Sequence, residues 1–263
     1  MRKAIVPAML IAVLAAIVIV SGCNVTGSGK VIEEEKDFTD FSRVDVGSAF
    51  EVEIVKANSF SVKISADESL IDYVVVSKEA DTLEINLKPH HIFTDFTLGK
   101  KTLKAEITMP ALRGLEVSGA TETTISGFAA SENFILEVSG ASSLKMDDIE
   151  VGNADFDVSG ASDVTGSMKA TNVVFKVSGA STVKLTGSAS NLVLDTSGAS
   201  NADLTEFPLA EDADVKLSGA SKATVNLKGT LDCNVSAASS LFFLGNPTMG
   251  DVEVSGASTI KHK

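Results

Sequence analysis

Phe156-Asp157-Val158-Ser159-Gly160-Ala161-Ser162-Asp163-Val164 is followed nineteen residues later by Phe175-Lys176-Val177-Ser178-Gly179-Ala180-Ser181-Thr182-Val183, nearly class for class. The central tripeptide recurs along the chain. It starts at Ser118, Ser139, Ser159, Ser178, Ser197, Ser218 and Ser255, and a variant, Ser236-Ala237-Ala238, fills the remaining gap. The steps between these serines are 21, 20, 19, 19, 21, 18 and 19 residues. A near-constant period of this size is the mark of a solenoid. Each repeat carries similar chemistry, so the working part of such a molecule is expected to be a surface rather than a pocket.

Working outward from the tripeptide, apolar and polar positions alternate. Three before each serine stand Leu115, Leu136, Phe156, Phe175, Leu194, Val215, Cys233 and Val252. One before stand Val117, Val138, Val158, Val177, Thr196, Leu217, Val235 and Val254. Between them lie Glu116, Glu137, Asp157, Lys176, Asp195, Lys216, Asn234 and Glu253. Apolar, polar, apolar is a strand with one buried face. A second alternating strand follows the corner at Leu144/Met146, Val183/Leu185 and Ala223/Val225, with weak members at Thr123, Gly166 and Ala202. Each unit thus reads as strand, small-residue corner, strand and a looser return.

Helix is excluded by the spacing of two and by the dominance of Val, Thr, Ser and Gly. A propeller blade needs about twice this period, and a leucine-rich repeat needs leucines at offsets that are absent. One turn of a parallel β-helix fits, with about twenty residues per coil stacked at about 4.8 Å. The expectation is an all-β, right-handed parallel β-helix with at least seven coils from about residue 112 onward. Stacked corners leave little room for side chains, and glycine permits positive φ there, so the Ser-Gly-Ala column needs no ligand to explain it.

The amino-terminal segment supplies an address. Arg2 and Lys3 precede an uncharged apolar stretch, Ala4 to Val20, and then Val20-Ser21-Gly22-Cys23. The run of about 17 residues is at the short limit for spanning a bilayer, and the charged start fits a signal segment. The last four residues resemble the lipobox of bacterial lipoproteins. That resemblance implies a signal peptide over residues 1–22, cleavage before Cys23 and lipid attachment to Cys23. Two or three acyl chains would anchor the protein firmly to a membrane, where one would hold it only reversibly. Asn24 stands where an aspartate would retain many Gram-negative lipoproteins at the inner membrane, so an outer-membrane destination is expected.

Residues 23–36 read as a flexible tether, beginning Gly/Ser-rich and ending in the acidic run Glu33-Glu34-Glu35. Residues 37–110 alternate as strands at Phe50–Ile54, Phe60–Ile64, Leu83–Leu87 and Leu103–Ile107, without the Ser-Gly-Ala corner. They are expected to be the first coils or a cap, since an open solenoid end needs covering. Residues 111–263 hold the repeats, and residues 37–263 together make one domain. The order Phe41-Ser42-Arg43-Val44-Asp45-Val46-Gly47-Ser48-Ala49-Phe50-Glu51-Val52, then Leu83-Glu84-Ile85, then Ile107-Thr108-Met109-Pro110-Ala111-Leu112 leading into Val117-Ser118-Gly119-Ala120 resembles the head GIN domain family of auto-transporter adhesin heads. The resemblance covers roughly residues 40–263. It implies a β-helix on the cell envelope, and no catalytic residues come with it.

Composition agrees with an exported protein. The formal net charge is −13 and becomes more negative once Arg2 and Lys3 leave with the signal. No basic patch is present, which argues against nucleic acid. Of two cysteines, Cys23 is assigned to lipid and Cys233 to an inward repeat position, so no disulfide framework exists.

Candidate chemistry is sparse. His90 and His91 are adjacent, and adjacent strand side chains point to opposite faces, so they would not share a metal. His262 completes the histidines. Asp147-Asp148 and Glu211-Asp212-Ala213-Asp214 are acidic loops without the Ca²⁺-binding nonapeptide repeat. No nucleophile elbow or phosphate loop occurs. No catalytic residue, metal site or cofactor is therefore expected. The reading is a non-enzymatic, lipid-anchored envelope protein that binds a glycan or protein surface, with homo-oligomerisation open. The rival is a carbohydrate-active β-helix enzyme, which would need a cluster of carboxylates and basic groups on one face; the repeat's polar position alternates Glu, Asp, Lys and Asn without concentrating them, and aromatic platforms for sugars are scarce. The chain has no tryptophan and one tyrosine, Tyr73. A third reading is an ice- or mineral-binding ladder of Ser142, Ser162, Ser181, Ser200 and Ser221.

Overall fold

The computed structural model describes residues 30–88 and 101–263. The chain is nearly all strand. The amino-terminal part contains β1 (Val31–Lys36), β2 (Arg43–Val46), β3 (Glu51–Lys56), β4 (Ser61–Asp67), β5 (Val74–Glu79), β6 (Thr82–Leu87) and β7 (Leu103–Met109). The repeat part contains β8 (Gly114–Val117), β9 (Glu122–Ser126), β10 (Phe134–Val138), β11 (Ser143–Glu150), β12 (Asn153–Val158), β13 (Asp163–Lys169), β14 (Asn172–Val177), β15 (Thr182–Ser188), β16 (Asn191–Thr196) and β17 (Asn201–Leu209). It ends with β18 (Ala213–Leu217), β19 (Lys222–Leu227), β20 (Thr230–Val235), β21 (Ser240–Leu244), β22 (Thr248–Val254) and β23 (Thr259–His262).

The repeat strands stack as a parallel β-solenoid. Strands entering the corner, β8 through the even numbers to β22, form one sheet; those leaving it, β9 through the odd numbers to β23, form the other. Register follows the repeat: Leu136 lies beside Leu115 and Phe156, and Phe175 lies between Phe156 and Leu194. Inward side chains therefore pile into columns. The phenylalanine column is the tightest, with ring centroids 6.1 Å apart for Phe134–Phe156 and 4.9 Å for Phe156–Phe175. Positions three and one before the serine are buried in every coil but the last. Each such side chain contributes roughly 1.5–3 kcal/mol of burial.

The return is better packed than expected. Phe128, Ile149, Met168, Phe207 and Leu227 are all buried there, behind bends that shift the register between Met146 and Ile149 and between Asp203 and Pro208. Two glycines on the return also take positive φ, Gly166 at 133° and Gly187 at 120°. A Cβ on either would collide with the carbonyl oxygen of the coil beneath, at 1.9 Å and 1.8 Å.

The amino-terminal part is both coil and cap. Strands β2 and β3 flank Gly47-Ser48-Ala49-Phe50, and β2 pairs in register with β8 while β3 pairs with β9. Gly47-Ser48-Ala49 thereby occupies the place of a Ser-Gly-Ala corner: Ser118 N–H donates to Val46 O, and a Cβ on Gly119 would touch Ser48 N at 3.1 Å. Ser48 takes the positive φ (62°) that glycine takes elsewhere. On the other side of this coil lie β6, parallel to β2, and β7, parallel to β3. The first coil in sequence is thus second in space. Beyond it, β4 runs antiparallel to β7, β1 antiparallel to β4, and β5 antiparallel to β6. These reversed strands close the end, with Phe41 and Phe60 packed at 4.8 Å between ring centroids. Residues 31–36, expected within a flexible tether, instead form β1, because Ile32, Glu34 and Lys36 alternate as a strand against β4.

Candidate binding surface

The outward positions build the exposed chemistry. On the corner-entering sheet, the residue two before each corner forms one column. Register places Glu84, Asp45, Glu116, Glu137 and Asp157 in succession, and Lys176 ends the acidic run. Five carboxylates at one-coil spacing repel one another. Burial, and then the neighbouring Glu84, push the Asp45 carboxyl above its ordinary range. Burial, and then Asp45 and Glu137, do the same to Glu116. Beside them Arg43 lies along the backbone of Gly114, where a Cβ would come within 2.6 Å of Nε. Together with Thr82 and Ile135 these residues line a shallow depression. The arrangement offers a cation, carboxylates and a hydroxyl to a ligand lying flat on the sheet.

The outer face of the other sheet is charged differently. Near the cap, Lys63 pairs with Glu33 at 2.8 Å and Lys104 with Glu106 at 2.9 Å, and longer contacts of 3.9 Å reach Glu106 and Glu53. These bonds hold the Lys63 and Lys104 ammonium groups above, and the Glu106 carboxyl below, their ordinary values. Such exposed pairs stabilise little individually. They do stitch β1, β4, β7 and β3 together across one face.

Three columns stabilise the scaffold. At the corners from Ala141 to Ala238, the alanine N–H donates to the preceding coil's glycine carbonyl, as in Ala161 to Gly140 and Ala180 to Gly160, both 2.8 Å, and Ala257 donates to Ala237 O. After the alanine, Thr121, Ser142, Ser162, Ser181, Ser200, Ser221 and Ser239 point inward and are buried. The proposed ice- or mineral-facing ladder is therefore corrected. The corner's left-handed glycine turns the chain so that the fourth residue faces the interior. There, hydroxyls satisfy the turn itself: Ser221 Oγ donates to Ser218 O at 2.8 Å, and Thr121 Oγ1 to Ser118 O at 2.7 Å. Phe50 fills this column's place in the first coil.

The third column is an asparagine ladder. Asn153 Nδ2 donates to Asn133 Oδ1 (2.9 Å), Asn172 Nδ2 to Asn153 Oδ1 (2.7 Å) and Asn191 Nδ2 to Asn172 Oδ1 (3.0 Å). Sequence reading missed it, although all four stand six residues before a corner serine.

The other candidate residues scatter. Cys23 lies outside the described residues, as do His90 and His91. His262 Nε2 lies 2.8 Å from Gly245 O and its ring rests on Phe243. Asp147 pairs with Lys145 at 2.8 Å, while Asp148 takes a positive φ in a bend and its N–H donates to Ser167 Oγ. Glu211 and Asp212 extend the asparagine ladder: Asn191 donates to Glu211, and Thr230 N–H to Asp212 Oδ1 at 2.7 Å. Among the described residues no group of three or more His, Cys, Asp or Glu is placed to hold a metal ion. Cys233 is buried, and that burial, with Asp232 and Asp214 nearby, pushes its thiol up. A buried thiol so disposed is inert rather than nucleophilic.

Comparison with known proteins adds to this geometry. The solved structure of a protein of Parabacteroides merdae described as a "putative adhesin" superposes with a TM-score of 0.76 at 16% identity, covering 90% of this chain and 98% of that one. A second, from Parabacteroides distasonis and described in the same words, gives 0.77 at 16% with the same coverage. A third, described as a lipid-binding protein of the same species, gives 0.74 at 15%, again covering 90% and 98%. At these identities the likeness establishes the fold alone. No curated protein matches the sequence. A family profile described as "Putative auto-transporter adhesin, head GIN domain" matches residues 40–247, which include the capping strands β4 and β5, the acidic column and all corners but the last. The chain belongs to that head GIN domain family.

Proposed function

We propose that this is a lipid-anchored protein of the cell envelope whose solenoid displays an extended, non-enzymatic binding surface to a glycan or protein ligand. The observation that carries the reading is the in-register column Glu84, Asp45, Glu116, Glu137 and Asp157, with Arg43 beside it. A rigid sheet that repeats a polar group at each coil suits a ligand that is itself extended, because several weak contacts add without any deep pocket. Membership of an adhesin-head family supports an adhesive role, and the organisation of residues 1–23 supports an anchor at Cys23 and an outer-membrane destination.

A glycan array, followed by an assay for released products, tests the binding half. Retention without turnover, weakened by Glu116→Gln with Glu137→Gln, is the expected result; turnover of a bound polysaccharide would replace the reading with an enzymatic one. Mass spectrometry of the native amino terminus tests the anchor. An acylated Cys23 is expected, and an unmodified Cys23 or an uncut Met1 would refute it.

A further inference from the structure

The two ends of the solenoid differ. One ends in the antiparallel strands β1, β4 and β5, of which β1 and β5 are sheet edges, while at the other the edges are the parallel coil strands β22 and β23, with no reversed strand added to them among the described residues. Strand edges of this kind present free N–H and C=O groups to any strand that can align with them. Apolar side chains that are buried in every earlier coil are exposed here: Met249 at 43%, Val252 at 43% and Val254 at 52%. The outward charges of the two edges have opposite sign. β22 carries Asp251 and Glu253, and β23 carries Lys261 and continues to Lys263.

We infer that this end binds the same end of a second copy, β22 of each pairing antiparallel with β23 of the other. A two-fold axis through the corner at residues 255–258, perpendicular to the stacking direction, exchanges the strand entering the corner with the strand leaving it. One strand runs toward the corner and the other away from it, so the two meet antiparallel. Their inward faces must also coincide, because a one-residue slip would turn every side chain to the wrong face. Val254 and Val252 continue the inward columns of Val235 and Cys233, and Ile260 continues that of Leu241. The register that sets Val254 opposite Ile260 of the second copy then sets Glu253 opposite Lys261 and Asp251 opposite Lys263. The symmetry repeats each pairing, so four opposite-charge pairs flank an apolar centre. The contact is isologous and closes as a dimer instead of growing into a filament. The alternative two-fold, which lays each edge on its own copy, would face like charges and is disfavoured.

Sedimentation velocity of the full chain in non-ionic detergent tests this. A concentration-dependent dimer is expected. Asp251→Lys with Glu253→Lys should weaken it at least tenfold, Lys261→Glu with Lys263→Glu should do the same, and all four changes together should restore it. Val254→Lys, at a side chain already half exposed, should give a monomer that keeps its β-sheet circular dichroism and melts cooperatively at a temperature independent of protein concentration. A monomer at all concentrations, a dimer indifferent to either reversal, or a fourfold variant that fails to recover would each overturn the interface. Association through the detergent or the lipid would show itself by that indifference.

Discussion

Ala237 holds φ at 62° where seven other corners have glycine at φ 70–77°. A left-handed conformation costs a non-glycine residue about 1–2 kcal/mol. Ala237→Gly should therefore stabilise the protein by about 1 kcal/mol, read as a rise in the urea midpoint with an unchanged slope. The reverse change at a regular corner should be far worse. In Gly160→Ala the same strain is joined by a Cβ placed 2.3 Å from Gly140 O. Asp45 gives a prediction of a different kind. Its carboxyl is raised by burial and by Glu84, so above the ordinary carboxylate range the folded chain holds more protons than the unfolded chain. By linkage, stability falls as pH rises through the window between the ordinary and the raised values. Asp45→Asn should raise the melting temperature at pH 7, and the gain should vanish as the pH drops to about 4, where the unfolded carboxyl also protonates.

Among the strands and corners, the inward serine column mixes satisfied and unsatisfied members. Ser221 Oγ donates to Ser218 O at 2.8 Å, whereas Ser200 Oγ is buried without a partner. A made hydrogen bond contributes about 1 kcal/mol net, and an unmade buried one costs. Ser221→Ala should thus destabilise by about 1 kcal/mol and Ser200→Ala should be neutral or slightly stabilising, a contrast that paired thermal melts can resolve. The same column shows what sequence could and could not convey. Alternation at Leu136/Val138 and Phe175/Val177 announced strands and their buried face, because a period of two has one physical reading. The orientation of Ser142 was not legible, since it follows a left-handed glycine and the alternation rule does not carry across such a turn. The return was illegible for a related reason: an extra residue at the Asp148 bend shifts the register between Met146 and Ile149, so Phe128 and Ile149 stand ten residues after their corner serine while Met168 stands nine. The acidic column was visible only in part. Glu116, Glu137 and Asp157 lie in line in the repeat, but Asp45 and Glu84 join them through pairings from outside it.

For the molecule as a whole, the stack behaves as a one-dimensional array in which each coil touches only its neighbours. Sequence alone could count the coils but could not order the first of them. Nothing local reveals that β6 and β7 lie on the far side of β2 and β3, and Gly47-Ser48-Ala49 hides a corner by transposing its residues. One-dimensionality makes a strong prediction about deletion. Removing residues 159–177 joins Val158 to Ser178, both already at equivalent places in the coil, and brings Phe156 beside Leu194. The shortened protein should fold, with β-sheet circular dichroism and cooperative melting retained. It should also lose one coil spacing, about 4.8 Å, from its long dimension in small-angle scattering. Deleting ten residues from the same place should instead unfold it, because half a coil puts an entering strand where a leaving strand must pair.

The corner hydrogen bonds, alanine N–H to the carbonyl of the middle corner residue one coil back, repeat from Ala141 to Ala257 and involve no side chain beyond Cβ. That uniformity makes height an adjustable quantity. Whole coils can be gained or lost by duplication or excision without redesigning the capping strands, so evolution can set how far one end of the stack stands from the other in fixed increments, as with the rungs of a ladder.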